Sequence, residues 1–491
     1  MDNHITKLLD IKDVGINVLQ VKETSTTKTV VLEKQLTFHF CPVCGCRMYS
    51  KGIYLRKVNH PILQDGKQLI LHIRQRRWIC SNSICKNIET DEFSFVDKGR
   101  RNTNLSDLLI LEAFRDPNLS AAALAKRFSV SDSHAIRIFA RHVDMKRRDL
   151  PEALCVDEVY TNIDPYAKYA LVLQDFYNNE PIDLVKSRRK AVTQPYFSDI
   201  RLSERKRVKY LITDMYDQYL RYSDMYFPNA INVIDAFHVI QAINREFHKH
   251  IIKDIRKLDE KDRLRHEALQ QEYHRKIDFR HSKDYFVLKR YQGMLLKNAD
   301  HLKIYTQPRY DKRLGQMMNT YDYFDWMYRI DPELEKLRDL KETYIHFNNK
   351  YAGDPKGARK ALPQVIALYA NCPYEMFHDV ADLLQSHFDP IINSFILLEK
   401  LNGDKSRLSN GPIESLNRIV KDIKRLGRGY RNFEYLRQRF LYSQRHNATI
   451  LAVPKRLQET YLAAYLPKAE DDPYIKFDED LEDDWMPFDD F

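Results

Sequence analysis

Asp157, Asp214 and Glu414 stand where a charged side chain is costly unless it has chemistry to do. Asp157 interrupts the apolar run Leu154-Cys155-Val156, and Asp214 ends the run Tyr210-Leu211-Ile212-Thr213. Glu414 falls in Ser409-Asn410-Gly411-Pro412-Ile413-Glu414, where a capping residue followed by Pro412 announces a helix. Ile413, Leu416, Ile419, Val420 and Ile423 make the apolar stripe of that helix. Glu414, Asn417 and Lys421 run along a neighbouring line at i, i+3 and i+7. Three carboxylates gathered in one place repel one another unless cations neutralise them. Mg²⁺ or Mn²⁺ is the natural answer, because a pair of hard divalent ions about 3.5–4 Å apart drives in-line displacement at phosphorus. Any one of these acids alone is more often a helix cap or an ion-pair member; the trio in this order favours two metals. Asp235, at the end of Val233-Ile234, and His238 are accessory candidates, although a helix cap and a packed histidine explain them equally well.

A second cluster is made of cysteines. Cys41-Pro42-Val43-Cys44 and the pair Cys80 and Cys85 flank strand-like runs separated by Asp65-Gly66, a hairpin signal. Cysteine pairs on either side of a hairpin are the pattern of a zinc ribbon, with one closed, structural Zn²⁺. The spacing of the second pair is wider than the ideal, and Cys46 is an alternative ligand. Seven cysteines in all, an odd number, suit a reducing compartment better than a disulfide framework.

The elements that must carry these residues are legible in outline. Thr29-Val30-Val31-Leu32 reads as strand, and from Asn104 to about His142 the pattern is helical, with Leu105, Leu108, Leu109 and Ala113 on one face. Ser120 and Ser131 are expected N-caps of two short helices joined at Ser129-Val130, a helix-turn-helix outline locked by Leu124, Ala125, Val130 and Ile136. Ser133, His134, Arg137 and Arg141 then face outward toward a DNA groove. Strands are expected at 154–159, 169–173, 181–185, 208–212 and 231–234, with helices between the third and fourth and after the fifth, an α/β layer fold. The following 160 or so residues are helix-periodic. Downstream of Glu414, Arg418, Lys421, Lys424, Arg425, Arg428 and Arg431 form a basic stretch with Tyr430 and Phe433 interleaved, suited to phosphates.

The formal charge of +10 hides an asymmetry. Residues 469–491 hold eleven Asp and Glu against Lys476, which leaves +20 on residues 1–468 and points to a polyanionic partner. The acidic segment has the composition of disorder, with aromatics from Tyr474 to Phe491 among the acids. It reads as a solubilising tail or as a competitor for the basic surface. No basic stretch with a following apolar run opens the chain and no run of eighteen apolar residues occurs, so a cytoplasmic protein without membrane attachment is expected.

Val156-Asp157-Glu158, Thr213-Asp214-Met215 with Tyr219, Phe227-Pro228-Asn229-Ala230, Val233 to His238, Ser409-Asn410-Gly411 through Asn417 and Lys421, and Gly427-Arg428-Gly429-Tyr430 through Phe433 resemble the motif series of the ISL3 family of bacterial insertion-sequence transposases. The resemblance covers residues 35–445, and the acidic tail is not part of it. It implies an RNase H-like core whose first and fourth strands are neighbours, bringing Asp157 beside Asp214, with Glu414 supplied after a long insertion. It also implies cleavage and strand transfer at the ends of a mobile element. The expected organisation is a zinc-ribbon domain (1–100), a helix-turn-helix domain (101–148), the first part of the core (149–244), a helical insertion (245–405), core helices with Glu414 (406–450) and an extension with the acidic tail (451–491). Double-stranded DNA is the expected partner, and the need to handle two ends together implies a homodimer or larger synaptic assembly. The competing readings are a DNA-binding regulator of the same descent and a structure-selective nuclease.

Overall fold

The computed structural model describes residues 9–60 and 67–465. The Asp65-Gly66 dipeptide and the acidic segment 469–491 lie outside the described residues. The chain divides into two compact units, one of residues 1–146, 163–165 and 419–491, the other of 147–162 and 166–418. No helix of the described residues is long and apolar enough to cross a membrane.

The first unit opens with a six-stranded sheet of β1 (Ile16–Glu23), β2 (Thr27–Lys34), β3 (His39–Phe40), β4 (Arg47–His60), β5 (Gln68–Cys80) and β6 (Ile88–Thr90). The strand order is β1-β2-β5-β4-β3, with β6 also on β5. Strand β5 pairs antiparallel with β4, from Met48 opposite Cys80 to His60 opposite Leu69. Its alternate residues Leu69, Leu71 and Ile73 pack with Leu32 and Val58 into a core, the period-2 burial of a half-buried strand.

Three helices follow: α1 (Asn104–Ala113), α2 (Ala121–Phe128) and α3 (Asp132–His142). Ser120 and Ser131 cap the second and third, their hydroxyls accepting from Ala123 N and His134 N at 3.1 Å. Ser129 makes the turn in the left-handed region, at φ 54°. Leu124, Ala125, Ala135, Ile138 and Phe139 are buried, whereas Val130 and Ile136 are only partly so.

Helix α1 departs from the expected face. It buries Ser106, Asp107, Ile110 and Leu111, and leaves Leu108 and Leu109 exposed. The cause is tertiary. Asp107 is ion-paired with Arg100 at 2.9 Å, and the C-terminal helix Phe433–Gln444 packs nearby, with Tyr442 OH donating to Leu111 O at 3.1 Å. From the same helix Arg439, 1% exposed, donates to the carbonyls of Phe114, Asp116 (3.2 Å) and Leu119 (2.9 Å).

The second unit is built on a five-stranded sheet of β7 (Ala153–Asp164), β8 (Ala167–Asp175), β9 (Pro181–Val185), β10 (Tyr210–Thr213) and β11 (Ile231–Ile234). The order is β11-β10-β7-β8-β9, so the first and fourth strands are neighbours, and β10 runs parallel to both β7 and β11. Between β9 and β11 come α4 (Lys190–Ser198) and the short α5 (Leu202–Arg205), α6 (Asp217–Leu220) and α7 (Tyr222–Tyr226). Phe197, Tyr219, Tyr222, Tyr226 and Phe227 pack with Val156, Leu171 and Leu211 in the core of this layer.

After β11 the chain becomes helical: α8 (Ala236–Tyr273), α9 (Lys283–Leu296), α10 (Thr320–Ile330), α11 (Glu333–Lys350), α12 (Pro355–Ala370), α13 (Glu375–Ser386) and α14 (Phe388–Asn393). These helices surround their own apolar core, from Val239 and Phe247 to Leu384 and Ile391. Two small hairpins, β12–β13 (Arg309–Asp311, Gln316–Met318) and β14–β15 (Leu397–Glu399, Lys405–Arg407), interrupt the run, and α15 (Gly411–Leu426) closes it.

The buried guanidinium of Arg439 yields a prediction. Arg439→Leu leaves three carbonyls of the first unit without their donor, and a loss of about 2–4 kcal/mol is expected. Urea unfolding checks it; an unchanged midpoint would show that the bonds contribute nothing.

Candidate functional site

The parallel register sets the two aspartates side by side. Tyr210 pairs with Ala153, Leu211 with Leu154 and Ile212 with Cys155; carried two residues further, the same offset aligns Asp214 with Asp157. Asp157 Oδ1 accepts from Glu158 N at 2.7 Å, and Oδ2 accepts from Asn417 Nδ2 at 2.7 Å. Asp214 Oδ1 accepts from Tyr216 N at 3.0 Å. Burial lifts the Asp157 carboxyl to about 6, and the charge of Asp214 adds to the rise while the Glu158 N–H and the Asn417 amide oppose it. Burial likewise raises Asp214, with Glu158 adding and His238 opposing. Neither aspartate is ion-paired with lysine or arginine. Two adjacent, desolvated carboxylates with no cationic side chain bonded to them are a donor set that a hard divalent cation satisfies.

Helix α15 is fixed to the end of β7 by two asparagines. Asn410 Nδ2 donates to Val156 O at 3.1 Å, and its own N–H donates to Asp235 Oδ2 at 2.6 Å. Asn417 Nδ2 reaches Glu158 O at 3.3 Å as well as Asp157. Glu414 lies one turn before Asn417 and is exposed. Among the described residues, Asp157, Asp214 and Glu414 are not a set whose carboxylate oxygens all fall within 4.8 Å of one another. Asp235 is the N-cap of α8, its Oδ1 accepting from Phe237 N at 2.9 Å, so both of its oxygens are occupied by backbone donors.

Further residues, His238 among them, complete the surroundings. Glu158, next to Asp157, is ion-paired with Arg188 and accepts from Tyr219 OH at 2.8 Å. A cleft of about 660 Å³ beside Asp214 is lined by His238, Gln241, Arg245 and His248. These four follow one another at i, i+3, i+7 and i+10 along α8, a polar stripe whose helical period is readable in the sequence.

The cysteines gather as expected. Cys41, Cys44, Cys80 and Cys85 bring their sulfurs within 4.8 Å of one another, with Cys41–Cys85 at 3.7 Å and Cys44–Cys80 at 3.4 Å; Cys46 is not of the set. Each pair sits on a tight turn that ends in the left-handed region, at Gly45 (φ 72°) and Lys86 (φ 49°). At Cys41 burial works against the thiolate, but the N–H groups of Cys44 and Val43 outweigh it and bring the thiol down to about 6. Such preformed thiolate turns suit a closed tetrahedral Zn²⁺.

The expected DNA-contacting residues divide. Ser133, Arg137, Arg418, Lys421, Arg425 and Arg428 are exposed and Lys424 partly so, with Arg425 paired to Asp422 at 3.0 Å. His134 and Arg141 are instead engaged within the first unit. His134 Nε2 lies 2.9 Å from Asn102 Nδ2, and Arg141 Nε donates to Lys455 O at 2.9 Å. Tyr430 stacks on Tyr435, with centroids 5.2 Å apart, rather than standing free between the basic residues.

The raised Asp157 carboxyl has a measurable consequence. Its folded value of about 6 exceeds the unfolded value of about 3.9. Its stabilising contribution is therefore complete below the unfolded value and lost as pH rises through the folded one. Metal-free Asp157→Asn should match the parent near pH 4 and exceed it above pH 6, by up to about 3 kcal/mol. Mg²⁺ should stabilise the parent more than the variant. Thermal unfolding in chelator across this range checks both signs.

Comparison with known proteins follows the same lines. The model of the ISL3 transposase family matches residues 154–440. The transposase for insertion sequence element IS1001 of Bordetella parapertussis is 20% identical over 421 residues, covering 84% of this chain and 91% of that protein. The family match begins at the strand that carries Asp157 and runs through Asp214 and Glu414 into the last helix. The chain thus belongs to the ISL3 family of DDE transposases, metal-dependent enzymes that cleave DNA and transfer its strands.

Proposed function

We propose that this transposase binds the ends of an insertion sequence, cleaves them and joins them to target DNA at a centre made of Asp157, Asp214 and Glu414. The observation that carries this reading is the parallel register of β7 and β10, whose continuation sets Asp157 opposite Asp214, together with the amide bonds from α15 to β7. The core is RNase H-like, with the helices from α8 to α14 as its insertion. Asp157 and Asp214 hold Mg²⁺ or Mn²⁺ and Glu414 completes the ligand set. Two such ions would activate the attacking oxygen and stabilise the leaving one in an in-line displacement at phosphorus.

The protein's own residues do the rest. Asn417 holds the Asp157 carboxylate in one orientation, and Glu158, neutralised by Arg188, supports β7 without competing for the ion. His238 and Arg245 face the cleft beside Asp214 and suit a phosphate of the bound strand. Cys41, Cys44, Cys80 and Cys85 hold a structural Zn²⁺ in a ribbon, while α2 and α3 form a helix-turn-helix whose Ser133 and Arg137 meet the DNA. Arg418, Lys421, Arg425 and Arg428, with Lys424, track the backbone. Two ends are handled together by a homodimer or larger assembly.

Labelled DNA with the element's own ends, supplied with Mg²⁺, tests the assignment. The parent should cut at the ends and join them. Asp157→Asn, Asp214→Asn and Glu414→Gln should each lose on the order of a thousandfold in rate, and full activity in any one removes it from the centre. Binding without cutting would point to a regulator, and cutting of branched DNA regardless of ends to a structure-selective nuclease. For the basic surface, Lys421→Glu with Arg428→Glu should weaken binding to all sequences alike. It should also reduce the slope of log K against log salt by about one per lost phosphate contact. An unchanged slope excludes these side chains from the interface.

A further inference from the structure

We propose a second divalent-metal site, in the helical insertion, made by His250, Asp331 and Glu333 with the buried Asp254 beside them. It is separate from the cysteine cluster and from the Asp157 centre, and does not depend on the proposed reaction. His250 and Asp254 stand one turn apart on α8. Asp331 ends α10, Pro332 turns the chain, and Glu333 opens α11. His250 Nε2 lies 2.7 Å from Asp331 Oδ2, 3.4 Å from Asp254 Oδ2 and 4.0 Å from Glu333 Oε2. The donor atoms of His250, Asp331 and Glu333 all fall within 4.8 Å of one another. Around a tetrahedral ion with bonds of about 2.0–2.2 Å, neighbouring donors are about 3.4 Å apart, so these distances bracket the requirement.

An ordinary imidazole–carboxylate pair does not account for the cluster. Asp254 is 6% exposed, and only its Oδ1 has a donor, Lys257 Nζ at 2.9 Å. Its Oδ2 is buried with no hydrogen-bond partner and faces His250 Nε2. A buried carboxylate oxygen left unsatisfied costs about 1–3 kcal/mol or more. With all three carboxylates ionised, one lysine and one imidazole leave negative charge even when His250 is protonated. One divalent cation removes both faults at once. An imidazole nitrogen with carboxylates selects a borderline ion such as Zn²⁺ over Mg²⁺ or Ca²⁺, which prefer all-oxygen shells. His250, Asp331 and Glu333 are the mutually close donors and Asp254 Oδ2 lies 3.4 Å from His250 Nε2 beside them, so the ion clamps the long α8 to the α10–α11 junction.

Zinc content of the full-length chain, measured after loading with Zn²⁺ and desalting, tests the site. Asp254→Asn, isosteric and without the charge, and Glu333→Gln, at the solvent-facing edge, should each lose one zinc equivalent per chain. His250→Gln should do the same. Cobalt substitution separates the two zinc sites, since the thiolate charge-transfer absorption of the cysteine cluster should be unchanged in all three variants. Should His250→Gln fail to fold, the other two decide the matter. Undiminished zinc in Asp254→Asn and Glu333→Gln would overturn the proposal. So would an Asp254→Asn protein that gains stability in chelator while binding as much zinc as the parent, because the cluster would then be a carboxyl–imidazole pair alone.

Discussion

Two asparagine side chains fix the helix that carries Glu414 to the strand that carries Asp157. Asn410 and Asn417 tie α15 to the end of β7, the first through the carbonyl of Val156 and the second through the Asp157 carboxylate itself. Hydrogen bonds to charged groups contribute about 1.5–3 kcal/mol each, enough to hold a helix that the chain reaches only after the whole insertion. The closure is completed at the neck. Asp235, the last residue before α8, accepts from the backbone of Asn410, the last before α15. Because loop-closure entropy grows only as the logarithm of length, at about 0.6 kcal/mol per doubling, an insertion of this size is tolerable once its two feet are joined. Asp235 therefore belongs to the architecture that delivers Glu414.

The electrostatics of the sheet edge follow from that framework. Asp157 and Glu158 are consecutive acids at one strand end, yet they have opposite fates. Glu158 is neutralised by Arg188 and by the hydroxyl of Tyr219, while Asp157 has only an amide and an N–H, so burial and Asp214 push its carboxyl up. Arg188 thus pairs directly with Glu158 and acts on Asp214 only through its charge. The aspartates proposed to hold a metal are left without a direct cationic partner among the described residues, a local instability of the kind functional sites keep.

What could be read in the sequence was whatever depends on near neighbours. The five core strands and the caps Ser120 and Ser131 follow from alternation and from side-chain oxygens meeting the next turn. The cysteine set followed from spacing. The face of α1 did not, because Tyr442 and Arg439, more than three hundred residues later, determine which side is covered. His134 and Arg141 looked free for the same reason, their partners Asn102 and Lys455 lying outside the helical window. The polar stripe His238, Gln241, Arg245 and His248 was visible in its period, but only the cleft beside Asp214 gives it meaning. The cluster at His250 had no such signal, since its donors come from three separate elements.

Helix α15 gathers the constraints into one element. Its first turns hold Glu414 and Asn417, and Lys421 follows on the same line, seven residues and about 10 Å beyond Glu414. The apolar stripe of Ile413, Leu416, Val420 and Ile423 is buried along its length, so the helix cannot rotate about its axis without exposing it. Fixing that rotation fixes together the direction of Glu414 and the line of basic residues behind it. A substitution that loosened the stripe would turn Glu414 and the basic residues together, whereas one at Lys421 would leave the stripe intact. On the proposed assignment, metal holding and phosphate contact therefore share one helix.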